Sequence, residues 1–449
     1  MALPPRPVTR LTAPLVRFMH LEAAGGLVLL AATLLALGLA NSGWGDEVAA
    51  LWNRTLTIGV DGASLSYPLW YWVNDGLMAI FFFVIGLEIK RELVWGELRD
   101  RRNIVLPAIA AVAGAAVPVG LYLLLQPDLP GRAGWAVPMA TDIAFVVGCL
   151  AVLGSRVPPA LKIFVLSLAI IDDLLAVVII ALVFTGSLDL GFLAGAGVGL
   201  VAIVGLQRLG VRSVGAYVLV GAVVWLCTLK AGIHPTVAGV VLGLMTPAQP
   251  LLTRTRLRAG VEQALATLRR NAADGETAAP AVEGEDPDGG DAADRETAQA
   301  LALTATEAVS PLERLEHALH PWVAFAIMPI FALVNAGVIL SASALADPIA
   351  VAVTVGLAVG KPVGIAGGVA LAVALGVGRL PEGTSWMALI GAAWLCGIGF
   401  TMAIFIASLS IDPGSLAAAK AGILAGSALS LVGGMALLVV GLRRRPATT

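Results

Sequence analysis

Charge is scarce in this chain. Of its 449 residues only 13% are Asp, Glu, Lys or Arg, while 58% are hydrophobic. A water-soluble domain carries about 25% charged residues, so a soluble globular protein is excluded. Cysteine is scarce as well. Cys149, Cys227 and Cys396 stand singly in apolar segments with no Cys-x-x-Cys pair, which removes a disulfide framework and a thiolate metal centre. The net charge of −2 leaves no basic field, and nucleic acid is excluded as a partner. Ten-residue alternating segments are missing too, and the apolar runs are too long and unbroken for the strands of a membrane barrel. The N-terminal MALPPRPVTRLTAPLVRF leads into an apolar run that lacks a small-residue cleavage pattern, so 21–40 is expected to be a retained first span.

What the chain has instead is long hydrophobic runs. The expected fold is an all-α polytopic membrane protein of about 12 transmembrane helices, each needing ~20 apolar residues. The spans fall at 21–40, 69–89, 104–125, 133–153, 159–184, 190–207, 213–229, 232–246, 321–341, 348–376, 385–409 and 416–442. The seventh and eighth are separated only by the break Lys230-Ala-Gly-Ile-His-Pro235. This divides the chain into an N-terminus (1–20), spans one to eight (21–246), a long loop (247–320), spans nine to twelve (321–442) and a C-terminus (443–449). Of 28 Lys and Arg, 23 fall on the side that holds both termini. The positive-inside rule makes that side the cytoplasm.

Two loops stand apart. The segment Arg54–Tyr67 alternates loosely around Asp61-Gly62, which reads as a β-hairpin at about 54–67 on the non-cytoplasmic side. Two strands alone are marginal, so a partner subunit is expected to complete it. The long loop carries an insert, 271–310, with ten acids against one Arg and many Ala and Gly. That composition buries no core and reads as a disordered spacer.

The chemistry lies where charge interrupts apolar runs. Asp172 and Asp173 sit in the middle of LKIFVLSLAIIDDLLAVVIIALV, Leu161 to Val183. A charge at the bilayer centre costs roughly 2.5–3.5 kcal/mol on insertion scales, so the pair is expected to face a polar cavity and to hold a cation or a proton. Neighbouring carboxylates titrate as a unit. Cation and proton then compete for the same oxygens, which is the minimal physics of an exchanger. Thr141 and Asp142 lie centrally in the fourth span just after Pro138, which disfavours regular helix and suggests a broken helix with a buried acid. Lys361 is the basic residue deep in a span; a carboxylate partner would offset its burial, and Asp172 is the preferred one. Cys396-Gly397-Ile398-Gly399-Phe400-Thr401 lies at the midpoint of the eleventh span, where paired glycines permit either unwinding or close packing. Glu88, Lys90, Arg91 and Glu92 at the cytoplasmic end of the second span, and Arg314, Glu316, His317 and His320 before the ninth, read either as a pH gate or as interfacial charge. His234 is a lone histidine at a span boundary, for packing or function. Asp75, beside Asn74, either helps form an entry funnel or caps a helix.

Several of these segments together resemble the NhaA-type sodium/proton antiporters. They are AIIDDLLA (169–176), ATDIAF (140–145), FVIGLEIKREL (83–93), AGIHPTVAG (231–239), LEHALHPWVAF (315–325), GKPVGI (360–365) and CGIGFTMAIFI (396–406). The resemblance covers nearly the whole chain, in family order. It implies inverted repeats of spans three to five and ten to twelve, a property known for this family, with spans four and eleven as the interrupted crossing pair. It implies that Asp172 and Asp173 form the cation and proton site, and that Asp172 pairs with Lys361 in one state. Asp142, with Thr141, would offset the positive half-helix ends and Lys361 the negative ones. Glu88, Arg91, Glu92, Glu316, His317 and His320 would form a pH-responsive region, and His234 matches a position that tunes that response. The hairpin would mediate a homodimer. The expected activity is export of Na+, and of Li+, in exchange for H+ across a bacterial inner membrane. It would be electrogenic and pH-regulated, with no cofactor and with membrane lipid as surroundings. The loop before the ninth span departs from the family in its length and acidic insert.

Two other classes fit less well. An intramembrane aspartyl protease needs acids on different helices facing one water, whereas this pair is adjacent. A sodium-coupled symporter of organic solutes would show a larger substrate cavity.

Overall fold

In the computed structural model, the described residues are 24–60, 63–99, 101–128, 130–211, 213–250, 254–277, 297–302, 305, 307–339 and 341–443. Helix α1 (Ala24–Ala40) is followed by the short α2 (Gly45–Trp52), bent 115° away from it. Strands β1 (Thr55–Val60) and β2 (Ala63–Pro68) then pair antiparallel, with Leu56 opposite Tyr67 and Ile58 opposite Leu65. The two-residue period gives the hairpin one apolar face, Leu56, Ile58, Leu65 and Tyr67. On the other face the hydroxyls of Thr57 and Ser66 lie 2.8 Å apart. Asp61 and Gly62, where the sequence places the turn, lie outside the described residues.

The remaining elements are helical. A π-helical turn, Trp72–Leu77, runs into α3 (Met78–Val94). Then come α4 (Arg101–Leu125), a 3-10 segment (Gly131–Met139), α5 (Ile143–Leu153), α6 (Pro159–Val183), α7 (Leu190–Arg208), α8 (Val214–Lys230) and α9 (Pro235–Met245). After α10 (Arg254–Thr277) and α11 (Pro311–Trp322), a π turn (Val323–Ile327) leads into α12 (Met328–Asn335). The chain ends with α13 (Ala342–Leu345), α14 (Pro348–Val355), a third π turn (Gly356–Gly360), α15 (Lys361–Ala374), α16 (Trp386–Leu395), α17 (Phe400–Ser410) and α18 (Pro413–Arg443).

The helix starts follow local chemistry. Asp189 Oδ1 accepts from Gly191 N at 2.8 Å and Phe192 N at 3.2 Å, Asp347 Oδ1 from Ile349 N at 2.8 Å, and Ser385 Oγ from Ala388 N at 3.1 Å. Each satisfies a backbone donor that a helix start leaves open. Between α8 and α9 the chain turns at Gly232, whose φ of 83° is left-handed. That is why the apolar run reads as nearly continuous yet breaks there.

Among the described residues, seven helices are long and apolar enough to cross a membrane, or nine if two bent pairs each count as one span; α8 and α9 are apolar but shorter. The protein is thus a multi-pass helical membrane protein with a small two-stranded sheet.

The chain divides into two compact units, Met1–Leu244 with Leu319–Thr449, and Met245–Ala318. In the larger unit, helices pack through small residues, as they do where lipid supplies no hydrophobic drive between them. Gly364 and Gly368 of α15 lie against Ala113 and Ala110 of α4, and Gly422, Gly433 and Gly434 of α18 lie against Ala350, Trp394 and Leu395. In the smaller unit α11 opens with a capping box: Glu313 N donates to Ser310 Oγ at 3.2 Å, and Ser310 N donates to Glu313 Oε2 at 3.2 Å. Helix reaches further into the acidic insert than its composition suggests. It runs through Thr277 and reappears at 297–302, while 278–296 lie outside the described residues. These parts are rich in Ala, which forms helix without needing a core.

The packing of α15 on α4 predicts opposite outcomes for two neighbouring glycines. A Cβ on Gly364 would run into the Ala113 carbonyl, whereas one on Gly367 meets nothing within 4 Å. Gly364→Val should lower stability by about 1–3 kcal/mol. Gly367→Ala should be neutral or stabilise by about 0.5–1 kcal/mol. Thermal unfolding of both variants in detergent checks this.

Candidate functional site

The site forms where two helices are interrupted. In the first, the 3-10 segment ends at Met139, Ala140 to Asp142 are extended, and α5 starts at Ile143. In the second, α16 stops at Leu395, Cys396 to Gly399 are non-helical, and α17 continues at an angle of 46°. Broken backbone at membrane depth must be satisfied by protein, and here the two breaks satisfy each other. Asp142 N donates to Ile398 O at 2.7 Å, and Thr141 Oγ1 donates to Cys396 O at 2.8 Å. The Asp142 carboxylate serves two helix starts at once. Oδ1 accepts from Phe145 N of α5 at 3.3 Å; Oδ2 accepts from Thr401 N of α17 at 3.1 Å and from the Thr401 hydroxyl. A negative charge is favoured at a helix N-terminus, and two N-termini meet this one. Ser427 of α18 completes the arrangement, its Oγ accepting from Phe400 N at 3.2 Å.

The carbonyl end of the first break meets a cation. Lys361, 0% exposed, opens α15 directly after the π turn Gly356–Gly360. Its Nζ donates to Met139 O, the last carbonyl of the 3-10 segment, and lies 2.6 Å from Asp172 Oδ2. π turns are common at functional sites. This one turns Ala358 O toward the Trp394 indole, which donates to it, and so ties the turn to α16. Asp172 and Asp173 lie at the middle of α6, 1% and 2% exposed. Asp172 Oδ1 is buried with no hydrogen-bond partner among the described residues. The spans bearing Asp142, the acid pair and Lys361 are 61–67% buried within the protein, against 17–33% for the other four candidate spans. The charged residues therefore sit in the part of the protein most enclosed by other helices. A carboxylate oxygen without a protein donor, beside a second carboxylate and one ammonium, is an arrangement that accepts a small cation or a proton.

The structure joins Asp75 and His234, which the sequence treats separately. His234 Nε2 lies 3.3 Å from Asp75 Oδ1, and Nδ1 lies 2.7 Å from Thr236 Oγ1. Beside them, Asn335 Nδ2 donates to Asn74 Oδ1 at 2.7 Å. The His234 ring packs edge-on to Phe405, with centroids 5.3 Å apart. Phe405 lies one helical turn beyond Thr401, so this cluster touches the same helix that Asp142 caps. At the end of α3, Arg91 pairs with Glu92 at 3.3 Å and Lys90 Nζ donates to Leu244 O at 2.7 Å; Glu88 is one turn before Glu92. Glu316, buried, and His317 lie on the part of α11 in the smaller unit, whereas His320 belongs to the larger one.

Ser427, Asn335 and Thr236 are missing from the sequence reading. Their only signal is a polar residue in an apolar run, which a serine or threonine satisfying its own helix backbone gives equally well.

The sequence pattern of the family described as Na+/H+ antiporter 1 matches residues 16–438. The chain is 47% identical over 438 residues to a Na+/H+ antiporter NhaA of Rhodopirellula baltica, covering 97% of this chain and 96% of the relative. It is 45% identical over 440 residues to the Na+/H+ antiporter NhaA 2 of Acidiphilium cryptum, covering 97% and 94%. It is 44% identical over 439 residues to a Na+/H+ antiporter NhaA of Rhizobium meliloti, covering 98% and 97%.

Removing one partner of a buried ion pair leaves the other uncompensated, at about 3–5 kcal/mol. Lys361→Ala should lose stability on that scale. The double variant Lys361→Met/Asp172→Leu should recover most of the loss, since replacing both partners with apolar groups is often neutral. Comparing thermal unfolding of single and double variants measures the coupling.

Proposed function

The chain belongs to the Na+/H+ antiporter 1 family, and from that premise we propose that Asp172 and Asp173 are the carboxylates on which Na+ and H+ replace one another. The protein is a secondary transporter and not an enzyme, and it exchanges sodium for protons. The observation that carries the site assignment is the buried pair of Lys361 Nζ and Asp172 Oδ2 at 2.6 Å, with Asp172 Oδ1 left without a hydrogen-bond partner among the described residues and Asp173 next in the chain, also buried. In this state the Lys361 ammonium holds one carboxylate. An arriving Na+, or Li+, takes the free oxygen and Asp173, and competes with Lys361 for Asp172. A proton arriving on the acids favours release of the metal ion. Because occupancy is exclusive, proton binding weakens sodium binding and the reverse, by the same factor.

Asp142 and Lys361 stay with the ends of the broken helices and keep the crossing intact while the site changes sides. The two interrupted helices are spans four and eleven of a twelve-span fold, in inverted repeats of spans three to five and ten to twelve. One repeat bundle moves against the other to give alternating access. The basic residues support cytoplasmic termini in a bacterial inner membrane. More than one proton enters per sodium, so exchange moves net charge and draws on the membrane potential, about 2.3 kcal/mol per charge per 100 mV. The joined Asp75–His234 pair and the groups Glu88, Arg91 and Glu92, and Glu316, His317 and His320, regulate exchange with pH. The hairpin pairs two copies of the chain through its apolar face, where Leu56 and Ile58 are exposed.

The deciding experiment is a ΔpH fluorescence assay in everted vesicles. Sodium should drive proton release by the unmodified protein, with an apparent KM for Na+ that rises with acidity. Asp173→Asn should abolish the signal while still inserting normally. Retention of normal exchange by that variant would remove the site assignment.

A further inference from the structure

The long loop separates its charges along the chain. From Arg254 to Arg270 there are five Arg against the single acid Glu262, while from Asn271 to Ser310 there are ten acids against the single Arg295. The basic part is helical: it makes up most of α10, Arg254–Thr277. Within it, Arg258, Glu262, Leu265 and Arg269 are spaced four, three and four apart, which places them along one stripe of a helix, with Arg258, Leu265 and Arg269 as its basic and apolar members. All three are exposed, Leu265 at 47%. An apolar side chain thus stands in the open on a stripe that an arginine closes at either end, with Glu262 tied to the first of them. Leu257, Val261 and Ala264, half-buried, flank the stripe. Arg258 pairs with Glu262 at 2.8 Å, both largely exposed, so the bridge is solvated and weak and leaves the segment strongly basic. Eight residues separate α10 from the end of α9, a reach of at most roughly 30 Å.

We propose that α10 is an interfacial helix that binds the headgroups of anionic lipids. Arg258 and Arg269 meet the phosphates, and Leu265 enters the headgroup boundary. The acidic stretch that follows in the sequence carries the charge that such a surface repels. The inference rests on the proposed orientation only for the leaflet involved, the cytoplasmic one. The binding itself is a property of the helix.

The test uses the full-length protein in lipid nanodiscs, one set zwitterionic and one containing phosphatidylglycerol, with amide hydrogen exchange read over 254–277. Exchange should slow when phosphatidylglycerol is present and recover in high salt, which screens surface charge. Arg258→Gln/Arg269→Gln keeps good helix formers and should weaken the lipid effect by about fivefold per arginine removed. Equal exchange in both kinds of disc would overturn the proposal. So would a lipid effect that appears only after residues 278–296 are deleted, since the arginines would then be held by the acidic stretch rather than by lipid. Labelling of Thr255→Cys by an impermeant maleimide, in right-side-out against everted vesicles, reads the orientation separately. Reaction from outside would refute the leaflet and leave the nanodisc result standing.

Discussion

The Lys361 ammonium is the interaction on which the centre of this protein depends. It sits with no solvent exposure, on a helix that begins at a π turn, and reaches two acceptors from different parts of the chain. One is the carbonyl that ends the first broken helix. The other is the Asp172 carboxylate at the middle of α6. Both acceptors are buried, Met139 0% and Asp172 1% exposed. A single cation thus satisfies a backbone end and a buried acid together, and links the first broken helix and α6 to a helix 189 to 222 positions further along the chain. Its counterpart is Asp142, one anion placed against the starts of α5 and α17. Both helix starts meet the Asp142 carboxylate and the carboxyl end of the first break meets the Lys361 ammonium, each a charge of the sign that end favours.

The helices around this centre come close enough to place those charges because their contact faces are small. Gly356 and Gly360 of the third π turn lie against Pro138 and Pro118, so the segment leading into Lys361 packs directly onto the first broken helix. Gly397 of the second break lies against the Leu357 backbone and Ser430. Larger residues at these points would separate the elements and carry Lys361 away from Met139 and Asp172. Scaffold and site are therefore one problem in this fold, since the distances that define the ion pair are set by backbone-to-backbone contacts a turn or two away.

The parts of this arrangement legible in the sequence are those with a high cost in lipid. Asp172, Asp173, Asp142 and Lys361 interrupt apolar runs and need a reason to be there, so the acid pair, the broken fourth span and the lysine's partner are all readable without coordinates. Pro138 and the glycines of 396–401 mark the breaks for the same reason. What the sequence does not carry is which polar groups meet across the chain. Asp75 and His234 are 159 positions apart, and nothing local distinguishes a pair from two isolated residues. Ser427 is one hydroxyl in an apolar helix, and only the arrival of α17 makes it a cap. The π turns leave no compositional trace either, because they arise where packing forces a helix to accommodate an extra residue. The extent of α10 was hidden in a different way. Alanine between acids lowers hydrophobicity and raises helix propensity at once, and a reading based on core formation registers only the first.

Charge bookkeeping at the centre gives a last constraint. Asp142 is matched by two helix starts and a hydroxyl, so its negative charge is accounted for by fixed dipoles. Asp172 and Asp173 together face one ammonium. With both ionised, the pair and Lys361 leave one negative charge in surroundings where an uncompensated ion is among the costliest arrangements a protein can hold. An ion bound from outside the chain would fill the deficit. Under the proposed assignment a proton or a sodium ion fills it, each on the same oxygens and so never both at once. Exchange in this reading needs no dedicated sensor of which ion is present. Under the proposed assignment it follows from two neighbouring carboxylates of which, among the described residues, Lys361 pairs with Asp172.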